Sequence, residues 1–181
     1  MVIQDPNALR YVAFLRAINV GGRVVKMTAL KAVFERLELA EVETFIASGN
    51  VIFSSAAEPP KLESLIERAL RKALGYEVAT FLRTTAEIAA IAKRDPFGVP
   101  VPAGGRIYVG FLRDKPAAAA RRKVAELATK TDWLAVEGRE IWWLCATPSV
   151  ESAISGATFE RVLGQPATLR NLNTVKRLAE K

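Results

Sequence analysis

The chain has 181 residues, half of them hydrophobic and a quarter charged, with a formal charge of +7, one cysteine and no histidine. That length fits one large or two small domains whose cores need no covalent staples. Without histidine there is no Ser-His-Asp or Cys-His pair and no His-ligated metal, so any catalysis would rest on Asp, Glu, Lys, Arg, Tyr or Ser. Asp132, Glu137 and Glu140 form no recognisable metal spacing, and no metal or cofactor is expected.

Met1 to Leu9 reads as a loose lead-in, with no positive segment followed by an apolar core. Tyr11 to Arg16 is strand-like, and Asn19, Gly21 and Gly22 follow as a turn. Thr28 is the candidate cap of a helix over Thr28 to Leu37, with Leu30, Val33, Phe34 and Leu37 on one face. Val42 to Ile46 and Val51 to Phe53 flank Ser48-Gly49-Asn50 as a hairpin. Pro59-Pro60 opens a second helix that stops at Gly75, and Tyr76 to Leu82 returns as a strand. The order β-α-β-β-α-β is that of a ferredoxin-like unit.

The second half repeats the order. Thr84 or Thr85 caps a short helix that Asp95-Pro96 ends, and the Pro/Gly-rich run to Gly105 is a connector. Ile107 to Leu112 is a strand, Pro116 begins a helix through Val124 and Leu127, and Trp133 to Val136 and Ile141 to Cys145 form a hairpin around Glu137-Gly138-Arg139. A short helix over Thr158 to Leu163 and a final helix over Arg170 to Glu180 close the chain, with no closing strand evident. The fold class is therefore α+β, two ferredoxin-like subdomains with mainly antiparallel sheets: 10–104, which includes the connecting helix, and 105–181, which includes the C-terminal helix. Interdependent halves are expected, with the final helix at their junction.

LRAINVGG (Leu15 to Gly22), FIASGNVIF (Phe45 to Phe53), DPF (Asp95 to Phe97) and ATLRNLNTVKRL (Ala167 to Leu178) resemble domain-of-unknown-function family 1697, an uncharacterised, largely bacterial family. The resemblance implies two ferredoxin-like subdomains and no activity. Where relatives carry a basic segment before the penultimate helix, this chain has Ile154-Ser155-Gly156-Ala157-Thr158. An anion site built on that segment in relatives would be weakened or moved here.

In a ferredoxin-like sheet the end of strand one lies beside the turn before strand three. Arg16, Asn19, Gly21 and Gly22 then share an edge with Ser48, Gly49 and Asn50, and glycine N–H groups with an arginine fork are anion-binding chemistry. The alternative is that Asn19, Ser48 and Asn50 satisfy turn backbones. Arg170, Asn171 and Asn173 join the candidate ligand set if the final helix packs back on the first half; otherwise an asparagine caps that helix. Cys145 reads as a buried inert thiol, and one of Trp142 and Trp143 should face away from the core unless the strand is buried on both sides.

Three function classes follow. The leading one is a cytoplasmic module for a small anionic or phosphate-bearing ligand. The second is RNA or single-stranded nucleic-acid binding, with Tyr11 and Phe53 as stacking candidates; the basic charge favours anionic partners but is dispersed, with 11 Lys/Arg against 9 Asp/Glu up to residue 83 and 15 against 10 beyond. The third is a histidine-independent enzyme with Asp95 as base. No membrane partner is expected, because no apolar run approaches the ~20 residues of a spanning helix.

Overall fold

The computed structural model describes residues 7–181, so the lead-in expected at Met1 to Leu9 lies largely outside the described residues. The chain divides into two compact units, one ending at Ile88 and the other beginning at Ala89. The first comprises β1 (Leu9–Leu15), α1 (Met27–Glu35), β2 (Ala40–Phe45), β3 (Asn50–Ser55), α2 (Pro59–Leu74) and β4 (Thr80–Thr84), and the division falls inside α3 (Thr85–Ala92). The second comprises β5 (Arg106–Leu112), α4 (Ala118–Ala125), β6 (Asp132–Glu137), β7 (Glu140–Cys145), a 3-10 turn (Ser149–Glu151), α5 (Gly156–Leu163), β8 (Ala167–Asn171) and α6 (Leu172–Leu178). The sheets run β2-β3-β1-β4 and β6-β7-β5-β8, antiparallel throughout, so both units are ferredoxin-like.

The two sheets share their order and the register between the central strand and the last, although β2–β3 carries a register shift between Ala40 and Glu43 that β6–β7 lacks. Val12 opposes Arg83 in the first and Val109 opposes Arg170 in the second. Each of these buried arginines donates from Nη1 to the carbonyl of the preceding residue, Leu82 at 2.8 Å and Leu169 at 2.9 Å.

Three expectations are corrected. A closing strand exists: Ala167–Asn171 pairs with β5, so the final helix starts at Leu172 rather than Arg170. Its alternation, Ala167-Thr168-Leu169-Arg170, is only four residues long and runs straight into the helical period of Leu172, Val175 and Leu178. The first helix starts one residue before Thr28, with Lys26 at the cap position and no side-chain cap, and β4 starts at Thr80 rather than Tyr76. Elsewhere the punctuation acts where the residues place it. Gly75 and Gly164 end α2 and α5 in left-handed geometry, and Thr84 and Glu87 exchange hydrogen bonds as a capping box before α3.

In the first unit α1 and α2 pack on one sheet face, joining Tyr11, Ala13, Val51, Phe53 and Leu82 to Leu30, Phe34, Leu62 and Ile66. The alternate residues Val12, Phe14, Ile52 and Phe81 are buried too. The second sheet does the same: Ile141, Trp143 and Cys145 pack with Val124 and Phe159, while Val109, Phe111, Trp142 and Leu144 are equally buried on the other face. Strand β7 is thus buried on both sides, and neither Trp142 nor Trp143 is exposed.

Edge strand β4 is sealed by carboxylates. The N–H groups of Thr80, Leu82 and Thr84 donate to Glu67 at 2.8 Å, Glu63 at 3.2 Å and Glu87 at 2.7 Å. An edge so occupied cannot template another strand. The equivalent position in β8, Ala167 N–H, donates to Glu160 at 2.9 Å.

Asp132 pins the second hairpin. Its carboxylate accepts from Trp143 Nε1 at 2.8 Å, Thr129 Oγ1 at 2.8 Å, Ser152 Oγ at 3.0 Å and Thr131 Oγ1 at 3.2 Å. Burial acts to raise its pKa, but the hydrogen bonds from Trp143, Thr129, Ser152 and Cys145 together outweigh burial and hold it below the ordinary carboxylate value. Burial raises the Cys145 thiol above its ordinary value, and the neighbouring Asp132 adds to this, consistent with an inert buried cysteine. A depressed carboxylate stabilises the fold above its unfolded pKa, near 4, and that contribution is lost as pH falls through the folded value. Asp132→Asn should therefore lower stability at neutral pH, by about 1–3 kcal/mol. It should also flatten the loss of stability below about pH 4, as read by urea titration across pH.

Candidate anion-binding loop

Strand β1 ends at Leu15, whose N–H donates to Gly49 O at 2.8 Å, while Arg16 N–H donates to Ala79 O at 2.9 Å. These two bonds join the end of β1 to the β2–β3 turn and to the entry of β4. The loop that follows, 16–26, lies over that sheet end.

Asn19 holds it there. Its Oδ1 accepts from Val25 N–H at 2.5 Å, and its Nδ2 donates to Val25 O at 3.2 Å and to Ala47 O at 2.9 Å. One side chain thus closes the loop on itself and ties it to the neighbouring turn. Beneath it Asn50, fully buried, donates to Phe45 O at 3.1 Å and Ser48 Oγ at 2.8 Å. The turn and loop are in tight contact: a Cβ on Gly49, where φ is +76°, would lie 2.8 Å from Ile18 Cβ.

The backbone here is unusual. Ala17, Asn19 and Ile46 take φ values of 60°, 55° and 49°, and Gly21 and Gly22 take 60° and 81°. Left-handed geometry at alanine, and more so at β-branched isoleucine, costs on the order of 1–3 kcal/mol per residue, persists only where surrounding contacts impose it, and gathers at binding sites. Asparagine tolerates it.

The sequence-predicted residues therefore divide by task. Arg16, Asn19, Gly21, Gly22, Ser48 and Asn50 come together at one sheet end, but Asn19, Ser48 and Asn50 spend their polar atoms on the protein. The exposed residues of the loop are Arg16, Val20, Gly21, Gly22, Arg23, Val24 and Lys26. The N–H groups of Gly21 and Gly22 donate to no acceptor among the described residues. Arg23, which the sequence reading passed over, lies with its guanidinium 4.1 Å from the Tyr76 ring centroid, a cation–π contact, and is exposed.

Arg170, Asn171 and Asn173 belong to the second unit and have local roles there. Arg170 is buried in β8, donating to Thr168 Oγ1 at 2.8 Å and Leu169 O at 2.9 Å, and burial lowers its pKa to about 10. Asn171 caps α6 by accepting from Asn173 N–H at 2.9 Å. Ser155 and Thr158, in the segment that departs from the family pattern, form the capping box of α5. Asp95 accepts from Phe97 and Gly98 N–H at 3.2 and 3.0 Å, which is turn chemistry. Tyr11 and Phe53 are buried and stacked on each other at 5.7 Å, so neither is an exposed platform for a base. No group of three or more metal-ligating side chains occurs among the described residues, and no helix there is long and apolar enough to cross a membrane.

A family model described as protein of unknown function DUF1697 matches residues 9–142, which takes in every strand and helix of the first unit, the 16–26 loop included, and the second unit as far as β7. The chain belongs to this family. As a DUF1697 protein it resembles a solved structure, that of the conserved bacterial protein SP0830 from Streptococcus pneumoniae. The two share 23% identity over 96% of this chain and 98% of that one, with a TM-score of 0.72, a likeness of fold. No curated protein matches the chain.

The loop geometry makes a direct prediction. Asn19→Ala removes three hydrogen bonds and leaves the Val25 and Ala47 groups to water, so chemical unfolding should show a loss of about 1–3 kcal/mol. Gly49→Ala should cost at least as much, because added volume meets Ile18 at a left-handed position.

Proposed function

We propose that this protein is a binding module for a small anionic, phosphate-bearing ligand, held at the 16–26 loop. The observation that carries the reading is the pair of undonated N–H groups on Gly21 and Gly22, set between exposed Arg16, Arg23 and Lys26 on a loop fixed by Asn19. Backbone donors and arginine forks are the two groups that bind phosphate oxygens with directional, charge-assisted hydrogen bonds. Preorganisation matters because a loop already ordered in the free protein loses little further entropy on binding.

Asn19, Ser48 and Asn50 act as scaffold in this reading, and Arg170, Asn171 and Asn173 do not enter it. Nucleic-acid binding through stacked bases loses its support with Tyr11 and Phe53 buried. A histidine-independent reaction loses its named base, since Asp95 is occupied in a turn. A bacterial, cytoplasmic setting goes with the reading: the structural relative is bacterial, and the one cysteine is buried and free.

Thermal shift against a panel of inorganic phosphate, pyrophosphate, sugar phosphates and nucleotides tests the proposal. At least one should raise the melting temperature in a dose-dependent way. Arg16→Ala and Arg23→Ala should each weaken that ligand about 10-fold or more, the equivalent of one lost charge-assisted hydrogen bond. A panel without any response, or a response that both variants keep, would overturn it.

A further inference from the structure

The same loop carries a feature that a soluble phosphate does not explain. Val24 is 87% exposed and Val20 53% exposed, and on the adjoining turn Ile46 is 41% exposed. Single exposed apolar residues are ordinary. Val20 and Val24 flank the turn that Arg23 N–H closes onto Val20 O at 3.2 Å, and Asn19 ties Val25, next to Val24, to Ala47, next to Ile46. The other exposed side chains of the 16–26 loop are Arg16, Arg23 and Lys26. No carboxylate occurs between Arg16 and Glu35, so the cations of the loop have no acidic neighbour within it.

Exposed valines interleaved with cations on one loop match one kind of surface. Anionic phospholipid presents phosphate and carboxylate at the depth that arginine and lysine reach, and acyl chains just below, where short apolar side chains gain by leaving water. A nucleic acid would use the cations and leave the valines in water. A free phosphate would do the same. The left-handed backbone at Ala17, Asn19, Gly21 and Gly22 bends the chain sharply, so that Val20 and Val24 point away from the core rather than into it.

We infer that the 16–26 loop docks the protein peripherally on an anionic phospholipid surface, with Val20 and Val24 entering the interface and Arg16, Arg23 and Lys26 meeting the headgroups. The inference rests on the anion-binding reading above and names the lipid headgroup as the source of the phosphate. It replaces the expectation of no membrane partner, which came from the lack of a spanning segment; surface docking needs none.

The test is cosedimentation of the full chain with vesicles of phosphatidylcholine alone or mixed with phosphatidylglycerol, at millimolar lipid and low salt, beside a titration with soluble glycerol phosphate followed by backbone amide shifts. Several-fold more protein should sediment with the anionic vesicles. The double variant Val20→Ser/Val24→Ser, altered only at exposed positions, should lose at least three-fold of that excess while its glycerol phosphate shifts at Gly21 and Gly22 stay as in the parent. Retention indifferent to the valine changes would overturn the insertion. Glycerol phosphate binding without vesicle binding would overturn the membrane docking and leave the anion-binding reading standing, whereas failure of both would remove both. Binding to an acidic peptide or an RNA, with no retention on vesicles, would likewise overturn the proposal.

Discussion

Both faces of each four-stranded sheet are built from buried apolar side chains, and this constraint decides where a ligand can be met. Val12, Phe14, Ile52 and Phe81 occupy one face of the first sheet, and Tyr11, Ala13, Val51 and Phe53 the other. Burying such side chains is the main source of stability in a domain of this size. The consequence is that the stretches Val12 to Leu15, Val51 to Phe53 and Val109 to Leu112 offer no polar or aromatic platform to solvent. What the sheets can offer is their edges and their ends, and in the first sheet edge β4 is already occupied by Glu63, Glu67 and Glu87.

At the end of the first sheet Asn19 takes over. A loop of eleven residues between β1 and α1, 16–26, would ordinarily be mobile. Here one amide supplies an acceptor and two donors that fit the Val25 N–H, the Val25 carbonyl and the Ala47 carbonyl. The energy of those bonds offsets the left-handed backbone around them. The two glycine N–H groups of the loop donate to no acceptor among the described residues, and its cationic residues are exposed. The polar atoms that look most like ligand contacts in the sequence are therefore the ones that build the site, and the ones that meet solvent are its neighbours.

That inversion shows how far residue patterns reach. The element order, the hairpin around Gly49 and the stop at Gly75 were legible because they depend on local chemistry, namely apolar period, left-handed glycine and proline at a helix start. Strand β8 was not, because its alternation is only four residues long and Leu172, Val175 and Leu178 extend a helical period that reads back into it. Asn19 and Asn50 were legible as turn residues, but their division of labour was not, since it depends on which carbonyl each amide reaches. Val20, Arg23 and Val24 were missed altogether. Their signal was two valines beside Gly21-Gly22 that belong to neither the strand alternation nor the helical period.

The central claim is that Asn19 orders the loop in the free protein, and amide hydrogen exchange at Val25 tests it most directly. The account predicts that Val25 N–H, bonded to Asn19 Oδ1 at 2.5 Å, exchanges slowly in the parent protein. In Asn19→Ala it should exchange at the rate of an open loop, while Val12 and Ile52 in the sheet keep their protection. Fast exchange at Val25 in the parent, or protection unchanged by the substitution, would contradict it.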